Sequence, residues 1–194
     1  IKVASIQAAR RQVYFIDNDD YFQHRLMTTD EEGKEYEDNG ERAIFYTRGV
    51  LETVKKLRWC PDIIHCHGWM SAVVPLFIKK AYYDEPSFRD SKVIFSVYGN
   101  GFQSNLVPNF KEQVLFRDIT PEDLSMINDP VNHDELCKLA ITYSDGVIQN
   151  SENVNPAIMD YARSLNIPVV DYQPADTYAD ACNALYDKVW EEAE

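Results

Sequence analysis

The fold of this chain can be read outward from ten residues, Pro61-Asp62-Ile63-Ile64-His65-Cys66-His67-Gly68-Trp69-Met70. Their apolar run predicts a short strand over Asp62–Cys66, and the residues after the glycine begin a helix predicted over Trp69–Tyr82. The next run, Lys92–Tyr98, is rich in β-branched and aromatic residues and predicts a second strand. A strand, a crossover helix and a second strand make a βαβ unit, whose two strands run parallel.

The same alternation continues towards both ends of the chain. Further strands are predicted over Gly146–Gln149 and Ile167–Tyr172, and helices over Asn39–Leu57, Glu122–Ile127, Asp134–Tyr143, Pro156–Leu165 and Tyr178–Ala193. The predicted buried face of the last helix carries Tyr178, Cys182, Leu185, Val189 and Trp190. We therefore predict one domain over residues 1–194, an α/β, Rossmann-like three-layer αβα sandwich with a mostly parallel sheet.

The first forty residues depart from the usual opening of such a fold. Two strands, Ile1–Ile6 and Gln12–Asp17, stand where a doubly wound sheet normally has a strand, a glycine-rich turn and a helix. Either the first βα unit is missing from this sequence or the fold is a variant. The polar stretch that follows is predicted as a loop, with Thr28–Glu37 its most mobile part. Asp38 followed by Glu41 predicts a capping box at the start of the next helix.

Composition narrows the class of protein. The chain has 194 residues, 45% of them hydrophobic, which suffices for a globular core. Its net charge of −13 argues against a surface that tracks nucleic-acid phosphates. No apolar run reaches the roughly 20 residues of a membrane span, and the four cysteines show no C-x-x-C spacing. We expect a cytoplasmic protein with reduced thiols and neither nucleic acid nor membrane as partner.

Residues at the carboxyl ends of strands are the first candidates for a ligand site, because ligands of open α/β sheets bind there. His65 and His67 point to one side of their strand and Cys66 to the other, since strand side chains alternate. We expect His65 to pack against the sheet as a structural residue. His67 and Trp69 fit a ligand site and the core equally well.

Two other segments could contribute polar groups to the same site. Gly99 and Gly101 follow the strand that ends at Tyr98, and they would let the backbone approach a ligand closely, while Gln103 can bond sugar hydroxyls. Asp38 is by default a helix N-cap, although a cap residue at the mouth of a site can also bond a ligand.

A metal site is the main chemical alternative. His-x-His on a strand is a known arrangement for zinc or iron, and a His-x-His metal hydrolase is the corresponding function. The sequence places no third ligand beside His65 and His67. We therefore expect no tightly bound transition metal.

Four segments, in order along the chain, resemble the N-terminal domain of glycogen and starch synthases. Residues 13–22, VYFIDNDDYF, are similar to the strand and loop "FIDxxxYF" of that family, and DNGER at 38–42 followed by Phe45 to its helix start "DNxERFxFF". PDIIHCHGW at 61–69 is similar to "PDIVHxHDWH", and residues 143–151 to the strand "YADxVTTVSP".

The chain also departs from the family pattern at functional positions. Gly68 and Met70 stand where "HDWH" has aspartate and histidine, and that histidine is thought to bond the transferred glucose, which a thioether cannot do. Tyr98-Gly99 replaces the family's "HN". The "KTGGL" motif does not occur in this sequence, and we expect the second, donor-binding domain to be absent. The resemblance carries over five sugar-site positions: Asp38, Asn39, His67, Trp69 and Gln103.

The resemblance implies one half of a two-domain GT-B glycosyltransferase. Its activity would be transfer of glucose from ADP-glucose to an α-1,4-glucan in glycogen biosynthesis, with ADP-glucose as donor substrate and no cofactor. Because of the departures, we expect weak or no activity from the chain alone. The alternative is a catalytically defective module of the same fold that binds glucan or a protein partner. The oligomeric state, and whether another chain supplies the donor domain, stay open.

Overall fold

Four parallel strands form the central sheet of the computed structural model, which describes residues 1–191. They are β3 (Ile63–His67), β4 (Lys92–Val97), β5 (Gly146–Gln149) and β6 (Val169–Val170), adjacent in that order. Ile63 pairs with Lys92, and Phe95 pairs with Val147. Helical segments connect these strands, so the predicted α/β, Rossmann-like class is confirmed.

The helices cover both faces of this sheet. They are α1 (Asn39–Lys56), α2 (Val74–Leu76), α3 (Phe110–Val114), α4 (His133–Thr142), α5 (Pro156–Ser164) and α6 (Ala175–Glu191). Val93, Phe95 and Val147 point into the main core, which also contains buried residues of α1, α2, α4 and α5. Ile94 and Ile148 point to the opposite face, where they pack against α6. Among residues 1–191, α6 is the helix that packs on the second face, which gives a three-layer arrangement.

The connection after β3 is helical but irregular, so the continuous helix predicted over Trp69–Tyr82 is wrong in detail. A 3-10 turn over Trp69–Ser71 is followed by α2 and then by a π turn, Phe77–Ala81. Pro75 has no N–H to donate, so it is compatible only with the first turn of a helix and breaks the segment in two. The predicted helix Glu122–Ile127 is likewise reduced to a 3-10 turn, Pro121–Leu124.

The first two strands form a separate hairpin. β1 (Lys2–Ile6) and β2 (Arg11–Phe15) pair antiparallel, with Lys2 opposite Phe15, as a two-stranded sheet of their own. The hairpin side chains remain largely exposed, with Val3 at 54% and Phe15 at 50%. The sequence therefore predicted both strands, but the hairpin is not part of the central sheet.

The predicted capping box at the start of α1 is wrong. The side chain of Asp38 makes no cap hydrogen bond, because both of its oxygens accept from Arg25, at 2.8 and 2.5 Å. Glu41 accepts instead from the hydroxyl of Tyr21. Asp38 and Glu41 therefore bond residues of the loop before α1, although their positions in the sequence predict that they cap the helix.

The structure confirms most of the predicted buried face of α6. Cys182, Leu185 and Val189 are buried, but Trp190 is 41% exposed, and Tyr186 contacts the sheet in its place. Residues 192 and 193 of the predicted helix lie outside the described residues. All four cysteines are free thiols. Among residues 1–191, no helix combines the length and apolarity that a bilayer crossing requires.

Candidate functional site at the carboxyl ends of β3 and β4

His67 occupies the last position of β3, next to the turn that begins the following helical segment. Its Nδ1 lies 3.0 Å from the hydroxyl of Tyr98, which follows β4. Partial desolvation of the ring lowers the pKa of the imidazole, which favours the neutral form, although the residue as a whole is exposed to solvent. Within the described part of the chain, Nε2 has no hydrogen-bond partner, and it is available to a ligand.

Gly68 makes the turn possible. Its φ of 70° lies in the region that residues with a Cβ rarely adopt, and its N–H donates to the carbonyl of Ser96 at 3.2 Å. The carbonyl of Gly68 in turn accepts from the Ser71 hydroxyl at 3.0 Å. These bonds fix the backbone beside His67.

His65 lies two residues before His67 in β3, and both of its ring nitrogens contact other residues of the protein, as expected. Its Nδ1 is 2.5 Å from the hydroxyl of Tyr186, on α6, and its Nε2 is 2.6 Å from the hydroxyl of Ser96. Burial, and secondarily the neighbouring His67, lower its pKa to about 4. This histidine therefore holds α6 to the sheet and has no free nitrogen.

The geometry of the two histidines does not suit shared coordination of a metal. Their rings stack at 4.1 Å with an interplanar angle of 20°, so the ring nitrogens point in parallel planes and do not converge. Cys66 points to the opposite face, where burial raises the pKa of its thiol to about 12. Across residues 1–191, no three His, Cys, Asp or Glu side chains are grouped as metal ligands.

Trp69 and Met70 follow directly, and both are buried. Trp69 is 3% exposed and packs edge-to-face on Phe102 at 5.5 Å between ring centroids. Of the two readings open for Trp69, this contact supports a core anchor that connects the β3 turn to the loop after β4. Met70 lines a cavity of about 540 Å³ that His67 also lines.

Gln103 lies on the loop that Trp69 supports through Phe102, and its side chain is exposed. Its backbone N–H, like that of Ser104 at 2.7 Å, donates to the carboxylate of Glu35. The loop is tightly packed at its glycines: a Cβ at Gly99 would collide with Asn153, and one at Gly101 with His133. The glycines thus serve close packing within the protein.

The side chains of Asp38 and Asn39 already bond other residues of the protein. The hydrogen bonds from Arg25 hold the pKa of the Asp38 carboxyl below its usual range. Asn39 is 2% exposed, donates to the carbonyl of Thr28 at 3.0 Å and accepts from Arg42 at 2.8 Å. The structure therefore brings His67, Trp69 and Met70 together, with Gln103 nearby, and places Asp38 and Asn39 in the loop framework.

Comparison with known proteins assigns this arrangement to a family. A family model described as starch synthase catalytic domain matches residues 1–166. The chain belongs to the starch synthase catalytic domain family. Among proteins named glycogen synthase, that of Pelodictyon phaeoclathratiforme is 35% identical over 133 residues, covering 68% of the chain and 27% of the relative. That of Clostridium perfringens is 32% identical over 163 residues, covering 80% and 29%.

The family resemblance inferred from the sequence is thereby confirmed. The chain spans only about a quarter to a third of the length of the glycogen synthases that it matches. The match of the starch synthase domain also ends at residue 166, so α6 and its Tyr186 lie beyond it.

Three residues that shape this site were not identified from the sequence as contributors. Tyr98 was noted only as a departure from the family pattern, yet its hydroxyl bonds His67. Ser96 and Tyr186 both bond His65. Ser96 shares the pleat side of the histidines, so strand alternation could have indicated it. Nothing in the pattern of α6 singles out Tyr186.

Proposed function

We propose that this chain forms the acceptor side of the cleft of a glycogen synthase-type glucosyltransferase. The reaction would transfer glucose from ADP-glucose to the non-reducing end of an α-1,4-glucan. The observation that supports it best is the contact of the Tyr98 hydroxyl with His67 at the carboxyl end of β3, in a chain whose residues 1–166 match the family. A neutral imidazole nitrogen bonds a sugar hydroxyl without the cost of desolvating a charge.

The chemistry that these residues offer is positioning. The Tyr98 hydroxyl fixes the orientation of the His67 ring, and Nε2 has no hydrogen-bond partner among residues 1–191. Such contacts hold an acceptor hydroxyl, and positioning of reactants accounts for much of the rate in transfer reactions. They do not stabilise a departing diphosphate, which needs cationic or N–H donors.

The cationic side chains that line the cavity beside His67 and Met70 already bond other residues of the protein. Arg25 and Arg42 both line it, but Arg25 pairs with Asp38, and Arg42 donates to the carbonyls of Tyr21, Leu26 and Met27. Met70 offers no hydrogen bond where the family pattern has histidine. We infer that the chain alone binds glucan while transferring glucose very slowly or not at all.

The test measures two quantities on the purified chain: incorporation of labelled glucose from ADP-glucose into glycogen, and retention of the protein on immobilised glycogen. We expect retention with incorporation at least about 10²-fold below that of a complete synthase, the typical effect of losing one transition-state donor. His67→Ala should weaken retention, and the exposed His24→Ala should not. Incorporation at the rate of a complete synthase would contradict the incomplete cleft, and absence of retention would contradict the acceptor role.

A further inference from the structure

The ring of His67 is held by two contacts of different kinds. Its Nδ1 lies 3.0 Å from the Tyr98 hydroxyl, and one face of the ring stacks on the ring of His65, with 4.1 Å between centroids and an interplanar angle of 20°. The contact with Tyr98 distinguishes the two edges of the imidazole, because a flipped ring would present a carbon atom to the hydroxyl. The stack limits the tilt of the ring plane. Together the two contacts fix the direction in which Nε2 points.

His65 can support its neighbour because its own ring is fixed. Its Nε2 lies 2.6 Å from the hydroxyl of Ser96, a fully buried side chain of β4, and its Nδ1 lies 2.5 Å from the hydroxyl of Tyr186 on α6. The Tyr186 ring also meets the His65 ring edge-to-face, at 5.6 Å between centroids. With one partner on the sheet and the other on the helix, the imidazole cannot rotate without breaking both contacts. Both ring nitrogens are used within the protein, so His65 supports His67 and does not itself bind a ligand.

Tyr186 extends from a helix that is firmly packed on the sheet. Its neighbours Leu185 and Val189 are 2% and 4% exposed, and all three side chains belong to the cluster between α6 and the sheet. The match to the starch synthase catalytic domain ends at residue 166, before α6 begins. The hydroxyl that holds His65 therefore comes from a segment outside that match.

We propose that Tyr186 is a positioning residue of the acceptor site: its hydroxyl holds His65, and the stacked His65 ring holds the plane of His67. Hydrogen bonds weaken steeply when they are misaligned, so the plane of the His67 ring determines how well Nε2 bonds a hydroxyl of the ligand. α6 thereby contributes to the affinity of the site through His65. The inference rests on the proposed function for the identity of the ligand, a glucan, but not for the coupling among the three side chains.

Tyr186→Phe tests this coupling, because it removes the hydroxyl and keeps the ring. In the protein without ligand, carbon-13 relaxation of the His67 imidazole should show a more mobile ring, with a lower order parameter than in the unmodified chain. The affinity for maltoheptaose, measured by calorimetry, should fall about three- to ten-fold, the typical effect of one more side chain that must be ordered on binding.

Val189→Ala is the matched control on the same helix. It removes two methyl groups from the buried face of α6 and lowers the stability of the chain, while the Tyr186 hydroxyl stays in place. The order parameter of the His67 ring and the affinity for maltoheptaose should equal those of the unmodified chain. If Tyr186 only helped α6 to pack, Val189→Ala would weaken binding at least as much as Tyr186→Phe, and that result would overturn the proposal.

A double-mutant cycle shows whether the hydroxyl acts through His65. His65→Asn removes the stacking ring and should by itself weaken maltoheptaose binding, and adding Tyr186→Phe should weaken it no further. Additive losses would overturn the proposal, as would an unchanged His67 ring in Tyr186→Phe. If even the unmodified chain does not bind maltoheptaose, the proposed function fails. A more mobile His67 ring in Tyr186→Phe but not in Val189→Ala would then still support the positioning role, and equal mobility would overturn it.

Discussion

At the scale of single residues, His65 couples stability to pH. Its folded-state pKa of about 4 lies below the ordinary 6.5, because the ring is buried between Ser96 and Tyr186. The unfolded state therefore binds more protons between these two values, and the free energy of unfolding falls as the pH falls through this window. His65→Asn should show a smaller loss between pH 7 and pH 4.5 in urea titrations. A loss equal to that of the unmodified chain would show that His65 is not buried in its neutral form.

Trp69 tests whether the corner after β3 belongs to the core. Because its ring is 3% exposed and packs on Phe102, Trp69→Ala should lower the free energy of unfolding by about 3–5 kcal/mol. Trp59, at 56% exposed, provides the matched control, and Trp59→Ala should change it by less than about 0.5 kcal/mol. If Trp69→Ala leaves stability unchanged but abolishes glucan binding, the ring is a sugar platform and not a core anchor.

At the scale of elements, the loop before α1 depends on one buried arginine. Arg42 is 2% exposed and donates to the carbonyls of Tyr21, Leu26 and Met27 and to the side chain of Asn39. Lysine cannot reproduce this planar set of donors. Arg42→Lys should destabilise the chain by about 2–3 kcal/mol and speed amide exchange over residues 21–28.

The control for that substitution is Arg89→Lys, at an exposed position. It should change neither stability nor exchange. Comparable effects of the two substitutions would contradict the role assigned to Arg42. Fast exchange over Thr28–Glu37 in the unmodified chain stays a separate prediction.

Local sequence patterns predicted an element well where the residues next to it in the sequence determine its bounds. Gly146–Gln149 was predicted with its observed bounds, because the strand is apolar and bounded by polar residues on both sides. Ile167–Tyr172 shortened to Val169–Val170, because only those two residues pair with β5. The capping box at Asp38 failed because Arg25, thirteen positions earlier, binds both carboxylate oxygens. Sequence spacing does not report such a long-range partner.

At the scale of the whole molecule, the sequence identified the family and the β3 turn but not what completes the site. The motif residues 61–70 placed His67 and Trp69 at a strand end correctly. Asp38 and Asn39, carried over from the family pattern, are instead held by Arg25 and Arg42. Tyr186 bonds His65 from α6, more than a hundred residues away in sequence. Tertiary contacts of this length leave no mark in local periodicity.

The net charge of −13 is a property of the whole molecule, and it suits a neutral glucan better than an anionic nucleotide-sugar.

The central claim is that glucan binds at the carboxyl end of β3. The chain has four histidines, so the imidazole resonances of His24, His65, His67 and His133 can be followed by NMR as maltoheptaose is added. The account predicts a saturable shift of the His67 Nε2 resonance with His24 and His65 unchanged. Saturable binding that leaves His67 unshifted, or shifts His24 instead, would contradict it.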